Sequence, residues 1–232
     1  MTETAFTFRR TFWPVLLTLL AGFALAETTS LDLWVQDHFF NFETGKWLID
    51  VNAPLPRLFF YDGPKVCLFL LAAALLSLAL GPARWRERLA WRRVDIWIVL
   101  ACLATGPLLI GTGKATTNIF CPYQLERYDG SFPYRRLLEP WPEGKKPAQC
   151  GRCFPAGHAS GGFALLSLAG LAATRRGRRI GLAMGLLAGC AMGGYQMLRG
   201  AHFLSHTVVT ALVCWLVFLF WRRLLRAEPA SP

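Results

Sequence analysis

Hydrophobic residues along this chain are gathered into long runs that contain no Asp, Glu, Lys or Arg. A helix that crosses a bilayer needs about 20 mostly apolar residues, within a range of about 17–25. The two shortest runs, 160–173 and 66–80, reach this length only if their helices begin near Gly157 and near Gly63 or Pro64, respectively. The pattern predicts an all-α integral membrane protein with six transmembrane helices, over residues 11–26, 66–80, 96–113, 160–173, 180–198 and 205–220.

The composition agrees with a membrane protein, because 54% of the 232 residues are hydrophobic and the mean hydropathy is +0.36. No internal repeat and no low-complexity linker divides the sequence. Residues 1–232 are therefore expected to form a single membrane domain, with two longer segments, 27–64 and 114–158, outside the apolar runs.

The net charge of +11 comes largely from basic residues that flank the apolar runs, at 9–10, 84–93, 175–179 and 222–226. Cytoplasmic loops of membrane proteins are enriched in Lys and Arg, and alternate loops here carry the clusters. Segment 27–64 instead carries six acidic residues and two basic ones. This pattern predicts that both termini are cytoplasmic and that 27–64, 114–158 and a turn near 199–204 lie outside. It also argues against a nucleic-acid-binding surface.

The first apolar run leaves an alternative open. Arg9 and Arg10, an apolar stretch and the tripeptide ALA at 24–26 also resemble a secretory signal peptide with its cleavage site. A retained first helix is favoured, because six spans then satisfy the distribution of charge.

Seven cysteines follow the same division between apolar runs and outside segments. Those within apolar runs are expected to be small buried hydrophobic residues; they are Cys67, Cys102, Cys190 and Cys214. Cys121, Cys150 and Cys153 lie in an outside segment, where disulfides persist. One disulfide among these three is favoured over zinc, because Cys150-x-x-Cys153 with His158 lacks a fourth ligand. The sequence leaves the pairing open.

Residues that could catalyse a reaction or bind a ligand are concentrated at the predicted outside ends of the helices. They lie in GKATTNIFCPYQLERYDG, GRCFPAGHASGG and QMLRGAHFLSH. Segment 114–158 is long for a loop, which is typical of a functional role, and the aromatic residues of 27–64 favour a helix at the membrane interface. Cations and histidines without a matching carboxylate cluster indicate an anionic substrate such as a phosphate. Gly157, at the start of a helix, would add backbone N–H donors. The candidate side chains are Lys114, Arg127, His158, Arg199, His202 and His206.

These stretches resemble the motifs of the type 2 phosphatidic acid phosphatase superfamily of membrane phosphatases and phosphotransferases. That family is six-helical, with its active site on the outer face, and its motifs are K-x6-R-P, P-S-G-H and S-R-x5-H-x3-D. Here the motifs read KATTNIFCP at 114–122, PAGH at 155–158 and QMLRGAHFLSH at 196–206, so His202 matches the histidine nucleophile of the third.

Departures from the family pattern include Cys121 and Gln196 in place of arginines, Ala156 in place of serine, and His206 in place of aspartate. Arg199 lies one helical turn from Gln196 on the same face, and we expect it to supply one missing cation. Arg127 is expected to supply the other. The altered motifs are typical of a divergent bacterial sub-branch.

The resemblance implies a mechanism that needs no metal or cofactor. His202 would attack phosphorus and become a phosphohistidine, and His158 would protonate the leaving oxygen and then activate water. His206 would take the orienting place of the family's carboxylate. The phosphate oxygens would be bound by Lys114, Arg199, Arg127 and the Gly157 amide.

The implied substrate is a phosphorylated lipid of the bilayer, reached from the periplasmic face of a bacterial inner membrane. Undecaprenyl pyrophosphate, phosphatidylglycerol phosphate, phosphatidic acid and lipid A phosphate are candidates. A phosphotransferase acting on a lipid A type acceptor shares the covalent step and stays open. The alternatives from other classes are a metal-binding protein that uses the pair His202 and His206, and an inactive lipid-binding scaffold.

Overall fold

A computed structural model describes residues 8–141, 143 and 146–226. The structure is mostly helical, as predicted, with one short antiparallel hairpin of strands β1 (Phe40–Asn41) and β2 (Lys46–Trp47). The termini of the expected single domain, 1–7 and 227–232, lie outside the described residues. The helices are α1 (Phe8–Thr28), α2 (Leu31–Asp37), α3 (Pro54–Arg57), α4 (Gly63–Leu80), α5 (Ala83–Arg88), α6 (Arg93–Thr116), α7 (Gly157–Ala164), α8 (Arg175–Leu198) and α9 (Leu204–Leu225).

Five segments of the described chain are long and apolar enough to cross a membrane, as in a multi-pass membrane protein. They are Arg10–Thr28, Pro54–Leu80, Arg93–Thr116, Arg175–Leu198 and Leu204–Leu225, and they correspond to five of the six predicted runs. The remaining run, 160–173, forms α7 and a 3₁₀ helix at Leu165–Gly170. The helix begins at Gly157, the start that the predicted run needs in order to reach the length of a membrane span.

The second of these segments is longer than its apolar run. α3 passes through a π-helical turn at Leu58–Asp62 into α4, so that the helix continues from Pro54 to Leu80. Pro64 lies in the first turn of α4, where proline fits well. The extension adds an aromatic and charged portion at the end of the helix that faces the predicted site.

Glycines spaced four apart along α8 allow this helix to pack closely against α7 and the 3₁₀ helix. A Cβ atom at Gly185 would lie 2.4 Å from the backbone N of Leu166, and one at Gly189 would lie 2.2 Å from the Phe163 ring. Small residues on one face let membrane helices approach at the backbone. The stripe also includes Gly181, which faces Ala169 of the 3₁₀ helix, and Gly193, where a Cβ would lie 2.5 Å from Thr207 of α9.

An ion pair joins elements at the opposite end of α6 from Lys114. Arg226, which follows α9, donates from Nε to Asp95 Oδ1 at 2.7 Å and from Nη2 to the Gly170 carbonyl at 3.2 Å. Leu171 belongs to the same buried cluster as Ile96. The start of α6, the end of α9 and the end of the 3₁₀ helix therefore meet there.

The cysteines of the apolar runs differ from the prediction. Cys102 and Cys214 are buried as expected, but Cys67 and Cys190 are exposed on the protein surface. The prediction was wrong for these two because a membrane helix is apolar on every side, so an apolar run does not reveal which face points into the protein.

A disulfide joins Cys121 to Cys153, with 5.1 Å between their Cα atoms. One disulfide among the three outside cysteines was predicted, and the structure selects this pairing from those left open. Cys150 is free and exposed. The bond links the two ends of the long segment between α6 and α7.

Candidate active site

Three parts of the chain that carry the motifs meet at one end of the helices. Lys114 lies in the last turn of α6, Gly157 begins α7, and the turn at 199–203 joins α8 to α9. The Ala156 N–H donates to the His206 carbonyl at 3.3 Å, and the Thr210 hydroxyl donates to the Ala156 carbonyl at 3.2 Å. The second and third motifs are therefore joined directly.

The turn at 199–203 is held by the outside segments. The Gln36 side chain donates to the Met197 carbonyl at 2.8 Å, and the Tyr123 N–H donates to the Gly200 carbonyl at 2.9 Å. Gly200 has a positive φ of 71°, and a Cβ there would lie 2.3 Å from the Trp47 indole. These contacts fix the backbone that carries the predicted nucleophile.

His202 is buried, with 2% of its surface exposed. Its Nδ1 lies 3.5 Å from Nδ1 of His206 and 3.5 Å from Sγ of Cys153. Burial lowers the pKa of His202 well below its usual range, and the charges of His206 and Lys114 lower it further. The imidazole is therefore neutral at neutral pH and has a lone pair available for attack.

His206 lies in the first turn of α9 and is also buried. Its ring makes edge contacts with Phe154 and Phe203, with centroid distances of 5.0 and 5.4 Å. These aromatic neighbours hold the ring with Nδ1 towards His202. The arrangement allows one imidazole to donate its N–H to the lone pair of the other.

His158 is the second residue of α7 and is partly buried. Its ring lies 4.2 Å, centroid to centroid, from the ring of Tyr61. Its Nδ1 is buried and has no hydrogen-bond partner among the described residues. This nitrogen is therefore available to a group that enters the site.

Charged groups from several parts of the chain lie near His158. Those close enough to act on its charge are the cations Lys114, Lys65 and Arg199 and the carboxylate of Asp62. A Cβ at Gly157 would lie 3.3 Å from Lys114 Nζ, so the absence of a side chain there gives the ammonium access to the start of α7. The excess of positive charge suits an anionic ligand.

Arg199 and Lys65 contribute to this cluster in different ways. Nε of Arg199 is buried without a hydrogen-bond partner in the described part of the chain, which leaves a guanidinium donor for a ligand. Lys65 Nζ lies 3.6 Å above the Tyr61 ring. Lys65 was not among the site residues predicted from the sequence. The sequence feature that could have identified it as a site residue is its position next to Pro64, at the predicted outside end of a short apolar run.

Arg127 is not brought to the histidines by any contact of the described residues. It donates from Nε and Nη2 to the two carboxylate oxygens of Asp37, at 2.9 and 2.7 Å. This bidentate pair lowers the pKa of Asp37. Arg127 therefore joins segment 114–158 to segment 27–64, whereas the sequence predicted that it would bind phosphate.

A cavity of about 500 Å³ opens beside His158. Lys65, Lys114, His158 and Ser160 are the polar residues of its lining. The rest of its wall is mainly apolar and comes largely from α4 and α6, through Leu68, Phe69, Ala72, Leu103, Pro107 and Met192. A cavity of this kind fits an anion that carries a hydrocarbon chain.

The fold and the site define a multi-pass membrane protein with buried histidines, clustered cations and an apolar cavity. The family model of the PAP2 superfamily matches residues 95–229, and the chain belongs to this superfamily. The predicted resemblance is confirmed. Members are generally phosphatases, and membership indicates a phosphatase or phosphotransferase for lipid-type substrates. No curated protein sequence and no solved structure is significantly similar to the chain.

Proposed function

We propose that this protein is a lipid phosphatase that hydrolyses a phosphomonoester or pyrophosphate of a membrane lipid through a phosphohistidine. The observation that carries the proposal is the position of His158, which lies between clustered cations and an apolar cavity. The cations favour a phosphate, and the apolar wall favours a lipid chain. A soluble phosphate ester has no hydrocarbon chain that could contact this apolar wall.

His202 is the nucleophile in this proposal. Its Nδ1 faces His206 and Cys153, which leaves Nε2 as the attacking nitrogen. The Nδ1–H donates to the Nδ1 lone pair of His206, and this holds the tautomer in which Nε2 is unprotonated. The N–P bond forms as the bond between phosphorus and the leaving oxygen breaks.

His158 supplies and removes protons at the leaving side. It protonates the leaving oxygen, and it then accepts a proton from the water that attacks the phosphohistidine and releases phosphate. Lys114, Arg199 and the Gly157 amide stabilise the charge on the equatorial oxygens, which is the main contribution of a protein to phosphoryl transfer. Lys65 adds a further cation to this set.

We also propose that the chain is one membrane domain with six crossings. The helical stretch 157–170 begins near Lys114 and ends near Ile96, so it runs along α6 in the opposite direction. Its eight α-helical and six 3₁₀ residues span about 24 Å at about 1.5 and 2.0 Å per residue. That is most of a hydrocarbon core of about 30 Å.

Six crossings place both termini on one side of the membrane. The basic clusters make that side the cytoplasm. The site at the other end of the helices then faces the periplasm of a bacterial inner membrane. A lipid substrate would enter from the outer leaflet, with its chain along α4 and α6.

The test is phosphate release from a lipid panel by the detergent-purified protein. The panel contains undecaprenyl pyrophosphate, phosphatidylglycerol phosphate, phosphatidic acid and lipid A phosphate. His202→Ala and His158→Ala should each lower the rate by about 10²–10⁴-fold. His38→Ala is the matched control, because His38 caps α2 and its Nδ1 contacts the Trp34 carbonyl at 2.8 Å.

Unchanged rates in both site variants would reject the proposal. The products separate the two reactions of this class. Free phosphate identifies a hydrolase, whereas transfer of labelled phosphate to an added lipid A type acceptor identifies a phosphotransferase.

A further inference from the structure

One sulfur of the Cys121–Cys153 disulfide lies against the two buried histidines. Cys153 Sγ is 3.5 Å from His202 Nδ1, which is itself 3.5 Å from His206 Nδ1. Ligand atoms of these three residues all lie within 4.8 Å of one another, and all three residues are buried. One sulfur and two imidazole nitrogens are ligands that zinc commonly takes from proteins.

The two shorter separations have the size that a zinc ion needs. Zn–N bonds of about 2.0–2.1 Å and Zn–S bonds of about 2.3 Å place tetrahedral ligand atoms about 3.3–3.6 Å apart. In the disulfide the Cys153 sulfur is not a thiolate, and the thiolate is the form that binds metal. Cleavage of the disulfide would give Cys153 both the charge and the freedom to complete the site.

We propose that reduction of the Cys121–Cys153 disulfide creates an inhibitory zinc site formed by Cys153, His202 and His206. A dithiol reductant supplies the electrons. One of its thiolates attacks Sγ of Cys121, which is the less buried of the two cysteine residues, and the S–S bond breaks so that Cys153 leaves as a thiolate. The second thiol of the reductant then displaces Cys121, which becomes a thiol, and the reductant leaves as its own disulfide.

Zinc binds the Cys153 thiolate and the two Nδ1 atoms, with a water in the fourth position, and its own oxidation state is unchanged. The inhibition follows from the tautomer of His202. A metal on Nδ1 places the ring proton on Nε2, so the attacking nitrogen loses its lone pair. This consequence rests on the proposed phosphohistidine mechanism, whereas the metal site itself does not.

Cobalt(II) is a suitable probe, because tetrahedral cobalt with a thiolate ligand has strong visible bands and a near-ultraviolet charge-transfer band. The full-length protein is reduced with dithiothreitol, freed of reductant under anaerobic conditions and titrated with cobalt. We expect the bands in the reduced protein and not in the oxidised protein. Cys121→Ser should show them without reduction, and Cys153→Ser should show them in neither state.

Cys150→Ser is the matched control, because Cys150 is a free, exposed cysteine of the same segment. It should bind cobalt only after reduction, like the unaltered protein. Zinc should then inhibit lipid phosphate hydrolysis by the reduced protein at least tenfold, and a chelator should restore the rate.

Absence of the cobalt bands from the reduced protein, with its helical circular dichroism retained, would overturn the proposal without the need for any variant. Cobalt binding without zinc inhibition would overturn the inhibitory role. If the oxidised protein shows no phosphatase activity but the reduced protein binds cobalt, the proposed function fails while the metal site stands.

Discussion

The carboxylate of Asp32 caps the start of α9 by binding Ser205. Oδ1 accepts the Ser205 backbone N–H at 2.9 Å, and Oδ2 accepts the Ser205 hydroxyl. Asp32 lies on α2, so a helix of the first outside segment satisfies the free N–H of another helix and places negative charge at its positive end. His206 is the next residue after Ser205, and its position therefore depends on Asp32.

Removal of this cap should affect both stability and activity. We expect Asp32→Ala to lower the free energy of unfolding by about 1–2 kcal/mol, as loss of a helix cap does. The rate constant kcat should also fall, because His206 would no longer be held towards His202. Thermal unfolding in detergent and steady-state kinetics measure the two effects.

Asp37→Ala is the matched control on the same helix. Asp37 pairs with Arg127 and not with α9, so its loss should lower stability slightly and leave kcat unchanged. Equal losses of kcat in the two variants would contradict a positioning role for Asp32.

The sequence predicted that Arg199 and Arg127 replace the missing family cations. In the structure Arg199 lies near His158, whereas Arg127 is bound to Asp37. Arg199→Ala should lower kcat/KM about 10–100-fold, because it removes a charged hydrogen-bond donor worth about 1.5–3 kcal/mol. Arg127→Ala should leave kcat/KM within about twofold, because its guanidinium is engaged by Asp37. A larger loss of kcat/KM in Arg127→Ala than in Arg199→Ala would indicate instead that the phosphate binds at segments 27–64 and 114–158.

The burial of His202 predicts an unusual acid limb in the pH profile. The nucleophile must be neutral, and burial lowers its pKa in the folded protein. The fall of kcat/KM on acidification should therefore lie well below about pH 6.5, the usual value for histidine. An acid limb at or above that value, assigned to His202, would contradict the account.

The lowered pKa of His202 also makes the free energy of unfolding depend on pH. The unfolded chain binds a proton on His202 below about pH 6.5, whereas the folded protein excludes it. The contribution of His202 to stability is therefore complete above that pH and is lost as the pH falls.

His206→Asp gives a comparison for the pH profile of kcat/KM, because a carboxylate near His202 favours the imidazolium and should move the acid limb to higher pH.

The glycine stripe of α8 provides a test of the helix packing. Gly185→Ala should destabilise the protein by about 1–3 kcal/mol, because the new Cβ would overlap the backbone of Leu166. Gly194→Ala is the control on the same helix, since a Cβ there meets no atom within 4 Å. It should be neutral or slightly stabilising, because alanine favours a helix. Equal thermal shifts in both variants would argue against close packing at Gly185.

The long helices were predictable because their apolar runs are bounded by charge. The motifs placed His158, His202 and Lys114 at helix ends on one side, and the structure brings the three motif regions together. Exposure of Cys67 and Cys190 could not be predicted, since neither periodicity nor composition separates the lipid-facing side of a helix from its inner side.

The supporting contacts were harder to predict because they join residues that are far apart in the sequence. Asp32 and Ser205 are separated by 173 positions, and Arg127 and Asp37 by 90. In the sequence, Asp32 is one of several acidic residues in an outside segment, and Lys65 is one of many cations at a helix end. Only the folded chain shows which of these charges face the histidines.

Chemical trapping of the phosphoenzyme shows whether His202 carries the phosphoryl group during turnover. The protein is mixed with a lipid substrate labelled with ³²P in its phosphate, quenched within a turnover and analysed for label on the chain. We predict label that is stable in alkali and labile in acid, as expected for phosphohistidine, and that is absent from His202→Ala. Label that persists in His202→Ala, or substrate turnover by the unaltered protein with no labelled chain at any quench time, would contradict the account.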